Sequence, residues 1–191
     1  MSSIYLFSGP CGCGKSTLAE AYAKHLVNDC GQQQVYLIHG DDFHASFVET
    51  DHNEALFVNG QAANKLEWEE ILRFNWECIL DVTEKVLRRG LDVVIDYVVE
   101  EELPLVLAAA EEYSATVYYV VLTASESSIR ERITNRGDVE MIERALFLKD
   151  KLEHTPENQG FLFDNTDKTV EQEIKELKIE DFLLKPAPPS P

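Results

Sequence analysis

The chain has 191 residues, of which 45% are hydrophobic and 27% charged, and a net charge of −18 at neutral pH. That is enough for one α/β domain with a full core. No apolar run approaches the roughly 18 residues of a membrane span, and so acidic a balance argues against a general nucleic-acid binder, which needs a basic surface.

Residues 4–8, Ile-Tyr-Leu-Phe-Ser, read as a buried strand that begins too early to leave room for a leader peptide, so the expected location is the cytoplasm. They run into Gly9-Pro10-Cys11-Gly12-Cys13-Gly14-Lys15-Ser16-Thr17, which fits G-x-x-x-x-G-K-[ST]. Residues 15–28 follow as a helix, so the motif stands between strand and helix, the context a phosphate-binding loop requires. The glycines Gly9, Gly12 and Gly14 let backbone N–H groups, including those at Cys11 and Cys13, converge on phosphate oxygens. The helix start adds its positive dipole end, Lys15 reaches the outer phosphates, the Ser16 hydroxyl suits Mg²⁺, and Thr17 completes the motif. Cys11 and Cys13 are spaced too closely for a C-x-x-C site; with Cys30 and Cys78 they read as reduced cytosolic thiols, redox sensitivity at the helix start being the alternative.

Residues 35–39 form the second predicted strand, ending in His39-Gly40-Asp41-Asp42-Phe43-His44. Ligands collect outside the carboxyl ends of strands in an open parallel sheet, so these acids face the γ-phosphate end of the loop. Asp41 is the first candidate for a base that accepts a hydroxyl proton, and Asp42 is a helix cap or metal partner. His44 is either a substrate contact or a plain surface histidine. Residues 45–63 are polar and mixed and suggest a mobile cap. Residues 64–89 carry apolar residues at helical spacing before Gly90, with Trp68 and Trp76 read as packing anchors. The third strand, 92–97, places Asp96 after Val93-Val94-Ile95, the pattern that holds Mg²⁺ or its waters beside a phosphate loop. The run 100–102, three glutamates, reads as the solvated start of a helix over 103–112.

A fourth strand over 116–123 leads into a helix over 125–135 that carries Arg132 and Arg136 on one face, four residues apart, before Gly137. Two guanidiniums beside a hinge suit a lid over about 130–140 that closes on a triphosphate; the alternative is salt bridging with Glu131, Asp138 or Glu140. Arg130 faces elsewhere. A helix over 139–154, a short strand over 160–164 and a helix over 170–184 complete the pattern, and the Pro-rich tail 185–191 is expected to be disordered. Alternation of this kind predicts a three-layer α/β/α sandwich around a five-stranded parallel sheet, in a single domain over 1–184, monomeric or homodimeric.

The loop 9–17, the run Gly40-Asp41-Asp42-Phe43-His44, the stretch 117–136 with its arginines and Phe161-Leu162-Phe163-Asp164-Asn165-Thr166 together resemble the small-molecule kinase branch of the phosphate-loop proteins. The layout is most similar to gluconate kinases, with shikimate kinases and chloramphenicol phosphotransferases close behind. The resemblance implies an ATP- and Mg²⁺-dependent transfer to a hydroxyl of a small molecule, with adenine beside the loop after the last strand, at Asn165 and Thr166. Departures bear on the acceptor. His39 replaces an acidic residue of gluconate kinases, whose Ser-Ala-Leu-Lys stretch is missing after the third strand, as are the glycine pair and arginine of shikimate kinases. A sugar acid needs a positive partner; Lys65, Arg73, His44 and His52 supply it or the acceptor is neutral. A nucleotide switch would carry Asn-Lys-x-Asp, which Asn165-Thr166-Asp167-Lys168 is not; a nucleoside or nucleotide kinase and an antibiotic phosphotransferase stay open.

Overall fold

A computed structural model describes residues 2–47, 57–58, 61–62 and 67–186. Strand β1 (Ser3–Ser8) is followed by helix α1 (Lys15–Asn28), β2 (Val35–His39), a short helix α2 (Asp41–Ala45), and two two-residue strands, β3 (Phe57–Val58) and β4 (Gln61–Ala62), paired antiparallel. Then come α3 (Trp68–Leu87), β5 (Asp92–Asp96), α4 (Leu103–Glu112), β6 (Thr116–Thr123), α5 (Glu126–Arg136), α6 (Ile142–His154), β7 (Leu162–Asp164), α7 (Val170–Glu176) and β8 (Leu183–Lys185).

The main sheet has the parallel order β2-β5-β1-β6-β7. Both of its faces are covered, which is why its strands read as unbroken apolar runs. Side chains alternate across β1: Ile4 and Leu6 enter a core with Trp76, Ile95, Tyr97 and Leu148, under α3, α4 and α6. Tyr5 and Phe7 enter the opposite core with Leu18, Tyr22 and Leu177, under α1 and α7. A third cluster joins Ile129 and Ile133 of α5 to Ala145 of α6, with Cys11 packed against it, so the helix pair rests on the loop that follows β1. The three-layer α/β/α sandwich with five parallel strands is therefore present, and a sixth strand is added: β8 runs antiparallel along β6, on the same side as β7.

The differences from the predicted elements have local causes. The helix over 170–184 stops at Glu176; Thr169 and Gln172 close a capping box at its start, and after a 3-10 turn (Ile179–Phe182) the chain pairs with the open edge of β6. Lys185, placed in the tail by its prolines, belongs to that strand and donates to the Leu107 carbonyl at 3.2 Å; the remaining tail, 187–191, lies outside the described residues. The helix over 139–154 opens with a 3-10 turn (Val139–Met141). The long helix begins at Trp68, residues 63–66 lying outside the described set, as does most of the expected cap at 45–63. No described helix is long and apolar enough to cross a membrane.

Candidate active site

The loop after β1 is shaped by what surrounds it. At Gly9 (φ +141°) a Cβ would sit 2.6 Å from the Leu122 carbonyl oxygen, and at Gly12 (φ +76°) 2.7 Å from Ile133 Cγ1. Neither position admits a side chain, so the backbone turns tightly against β6 and α5. Cys13 N–H donates to the Pro10 carbonyl at 3.3 Å, and Lys15 Nζ folds back to the same carbonyl at 3.2 Å. Cys13 itself is fully buried, and burial pushes its thiol up. Burial opposes the Lys15 charge, but the thiols Cys13 and Cys11 and the carboxylates Asp41 and Asp96 outweigh it and hold the ammonium above its ordinary value.

β5 delivers Asp96 beside this loop, because β5 is the neighbour of β1 in the sheet. The carboxylate is 1% exposed. Its Oδ1 accepts from Ser16 Oγ at 3.3 Å, and its Oδ2 makes a short contact with His39 Nδ1. Burial raises its pKa, while the hydrogen bond from His39 and the charge of Lys15 pull the other way. Among the described residues no three His, Cys, Asp or Glu converge as a metal cage. Ser16 and Asp96 nevertheless offer the two oxygens that suit Mg²⁺, which keeps several waters.

Gly40, between β2 and α2, lies against the Tyr97 ring, and its N–H donates to the Asp96 carbonyl at 3.0 Å. That contact sets where Asp41 and Asp42 begin α2. Asp41 is among the charges felt at Lys15, Asp96 and His44, and Asp42 is felt at His44 as well. Asp42, like Asp41, is exposed in the first turn of α2, where a carboxylate favours the helix dipole, and both line the cleft described below. His44 is no surface histidine. It is 2% exposed, burial lowers its pKa, and Asn75 Nδ2 donates to its Nδ1 at 2.7 Å and to the Tyr97 hydroxyl at 2.7 Å.

α5 brings Arg132 and Arg136 to the loop. Arg132 donates to the Cys13 carbonyl at 3.4 Å and to Asn165 at its side-chain oxygen (3.2 Å) and carbonyl (3.1 Å). Arg136 donates to Cys11 Sγ at 2.9 Å and closely to Asp138, the salt bridge anticipated as the alternative to a lid. A cleft of about 670 Å³ gathers Gly9, Gly12, Gly14, Lys15, Ser16, Thr17, Asp41, Asp42, His44, Arg132 and Arg136.

Other expected residues fall elsewhere. Asn165 and Thr166, expected beside the adenine, do not line the cleft. Asn165 is buried and donates from Nδ2 to the Cys13 carbonyl at 2.6 Å, bracing the loop from below. Thr166 Oγ1 donates to Asp164 at 2.6 Å and accepts from Ser125 N–H at 2.8 Å. Arg73 stands exposed on α3, away from the cleft, because the opposite helix face carries Asn75, Trp76 and the core. Lys65 and His52 lie outside the described residues. Glu100 is not solvated: its side chain is 9% exposed between Arg144 (2.6 Å) and Lys151 (2.7 Å). Trp76 is a core anchor, but Trp68 lines the cleft, with the Arg144 guanidinium 5.5 Å from its ring centre.

Sequence reasoning missed the pairing of His39 with Asp96, and it missed Tyr97 and Arg144. His39 and Asp96 are register partners at the ends of β2 and β5. Strand order brings them together, and no local pattern announces it. Arg144 meets Glu100 across 44 residues of sequence.

The profile of the AAA_33 family, described as an AAA domain, matches residues 4–148. Guanylate kinase of Thermotoga maritima is 27% identical over 139 residues, covering 70% of this chain; the chain spans 64% of that relative's length. Among solved structures, a gluconokinase from Sinorhizobium meliloti aligns with a TM-score of 0.57 at 18% identity, over 95% of this chain and 91% of its own. The Mycobacterium tuberculosis APS kinase CysC, in complex with AMPPNP and APS, aligns with a TM-score of 0.64 at 15% identity, over 94% and 98%. The Deinococcus radiodurans tunicamycin resistance protein aligns with a TM-score of 0.62 at 12% identity, over 98% and 100%. At these identities the likeness concerns the fold, and the family profile, spanning the phosphate loop, β5 and both arginines of α5, goes further: the chain belongs to the AAA_33 family.

Proposed function

We propose that this protein is an ATP-dependent kinase that transfers the γ-phosphoryl group to a hydroxyl of a small molecule. The observation that carries the reading is the convergence of Lys15, Ser16, Asp96 and Asp41 around one glycine-shaped loop at the mouth of a cleft. The residues fit the nucleotide: a cradle that excludes Cβ atoms at Gly9 and Gly12 leaves backbone donors for phosphate oxygens, and Ser16 with Asp96 would hold Mg²⁺, directly and through water. Mg·ATP supplies the transferable phosphoryl group and, through its metal, part of the neutralisation of the charge that builds up during transfer. Lys15 stays protonated and adds a fixed positive charge at the outer phosphates. Asp41 accepts the hydroxyl proton as the oxygen attacks. Arg132 and Arg136, anchored on the loop carbonyl of Cys13 and on Cys11, steady the transferring group. Asn165 holds both Arg132 and the loop, so its role is positioning.

The test is a coupled ADP-release screen over sugar acids, shikimate-like acids, nucleosides and aminoglycoside or phenicol antibiotics. Lys15→Ala should lower turnover by about 10²–10³-fold with the melting temperature kept; undiminished turnover in that variant removes the proposal. Asp41→Ala should lose acceptor-dependent ADP release while retaining ATP binding. The similarity to a guanylate kinase favours a second reading, a nucleoside monophosphate as acceptor. GMP in the same screen separates the two.

A further inference from the structure

The cations that line the cleft fall into two groups. Lys15, Arg132 and Arg136 each hold an atom of the phosphate loop: the Pro10 carbonyl, the Cys13 carbonyl and Cys11 Sγ. Arg144, which also lines the cleft, holds none. Its partners are Glu100, Trp68 and Phe147.

That environment is built. One edge of the guanidinium is fixed by Nη2 on Glu100 Oε1 at 2.6 Å. The Trp68 and Phe147 rings each lie 5.5 Å from its carbon, which restrains its plane. Glu100 is shared with Lys151 at 2.7 Å, so two positive charges surround one carboxylate and a net positive charge is left at this wall. Four acids line the same cleft, and none of them has an ion pair with Arg144. Asp138 pairs with Arg136, Asp41 is felt at Lys15, Asp96 and His44, Asp42 is felt at His44, and Glu140 stands exposed on the 3-10 turn before α6. A planar guanidinium that is clamped on one edge and bears further N–H donors recognises anionic oxygens with little ordering cost.

We infer that Arg144 anchors an anionic group of the acceptor, a carboxylate, sulfate or phosphate set apart from the hydroxyl that reacts. The inference rests on the kinase reading and names the substrate class of the same site. It supplies the grip that a desolvated anion needs, for which the sequence alone offered Lys65, Arg73, His44 and His52. It also accounts for a helix α6 that turns an arginine into a cleft already supplied with three cations.

The experiment has a binding arm and a kinetic arm. Protein saturated with Mg·ADP, which fills the phosphate loop, is titrated with sodium sulfate, phosphate or acetate at constant ionic strength. Tryptophan emission is the readout, since the chain has two tryptophans, Trp76 is buried in the core, and Trp68 lies beside Arg144. A saturable change is expected, weakened at least tenfold in Arg144→Gln. Arg144→Lys, which keeps the charge and can still reach Glu100, should fall between. In the kinetic arm, kcat/KM is compared within matched pairs: gluconate with sorbitol, shikimate with its methyl ester, and AMP with adenosine. The ratio of anionic to neutral member should drop at least tenfold in Arg144→Gln, and the pair that responds tells a carboxylate from a phosphate. Equal anion affinity in the unmodified protein and in both folded Arg144 variants overturns the inference, as does a preference for the neutral members. Absence of nucleotide binding in the unmodified protein would instead remove the kinase reading, and the anion titration of Arg144→Gln without nucleotide would then decide on the arginine alone.

Discussion

Gly40→Ala sets two effects of opposite sign against each other. The Gly40 backbone (φ −63°, ψ −28°) is helical, so alanine meets no strain there. Replacing glycine at such a position stabilises by about 0.4–1 kcal/mol, because the unfolded chain loses freedom. Against this, the new Cβ would lie 2.5 Å from Cγ and Cδ2 of Tyr97 and 2.8 Å from its Cβ. Tyr97 cannot easily withdraw. It is 2% exposed, its ring meets Trp76 at 5.7 Å, and its hydroxyl accepts from Asn75 at 2.7 Å. Overpacking of this kind costs about 1–3 kcal/mol. The clash wins, for a net loss of about 1–2 kcal/mol, or about 2–8 °C in melting temperature for a chain of this size. Urea unfolding should show a lower midpoint with an unchanged slope. In a Tyr97→Leu background, where the ring is gone, the same substitution should cost less. Stabilisation by Gly40→Ala, or an equal cost in both backgrounds, would refute the reasoning. Asp41 starts α2 from this joint, so turnover should fall along with stability.

Three other outcomes follow from the same contacts. Glu100→Gln leaves Arg144 and Lys151 without their shared carboxylate; since both cations keep part of their hydration, the loss in urea unfolding should be about 2 kcal/mol, short of a fully buried pair, and a change under a few tenths would contradict it. Burial holds His44 below its ordinary 6.5, so the unfolded chain takes up a proton that the folded chain refuses, and the stability carried by neutral His44 is lost as pH falls below 6.5 and through the folded value. The stability difference between the unmodified protein and His44→Gln should accordingly shrink between about pH 7.5 and about pH 5; a constant difference would count against it. In thiol labelling, exposed Cys30 should react first, while Cys13, fully buried with its thiol pushed up, should react only on unfolding. Early labelling of Cys13 would place the loop in another conformation.

What the amino-acid order determined by itself was whatever is written within a few residues. The strand-loop-helix of Ser3–Asn28 is local, since an apolar run, three glycines and a lysine suffice to specify it, and the helix matched residue for residue. The strands Val35–His39 and Thr116–Thr123 matched likewise: the second is largely buried and reads as a continuous apolar run, and the first, an edge strand with only Ile38 buried, is legible from its β-branched and aromatic residues. Asp96 was legible as a carboxylate ending such a run. Tertiary structure decided the rest. The strand order put His39 against Asp96, a contact that requires β2 to lie next to β5. Leu183 and Leu184 carry good helical character, yet the unpaired edge of β6 offers backbone hydrogen bonds that a helix there would forgo. Asn165 and Glu100 read in sequence as an adenine contact and a solvated acid, and became a brace and a buried ion-pair centre because of what packs against them from distant parts of the chain. Local pattern records which backbone conformation a segment prefers, whereas the partner of a polar side chain is chosen by burial, and burial exists only once the layers have closed.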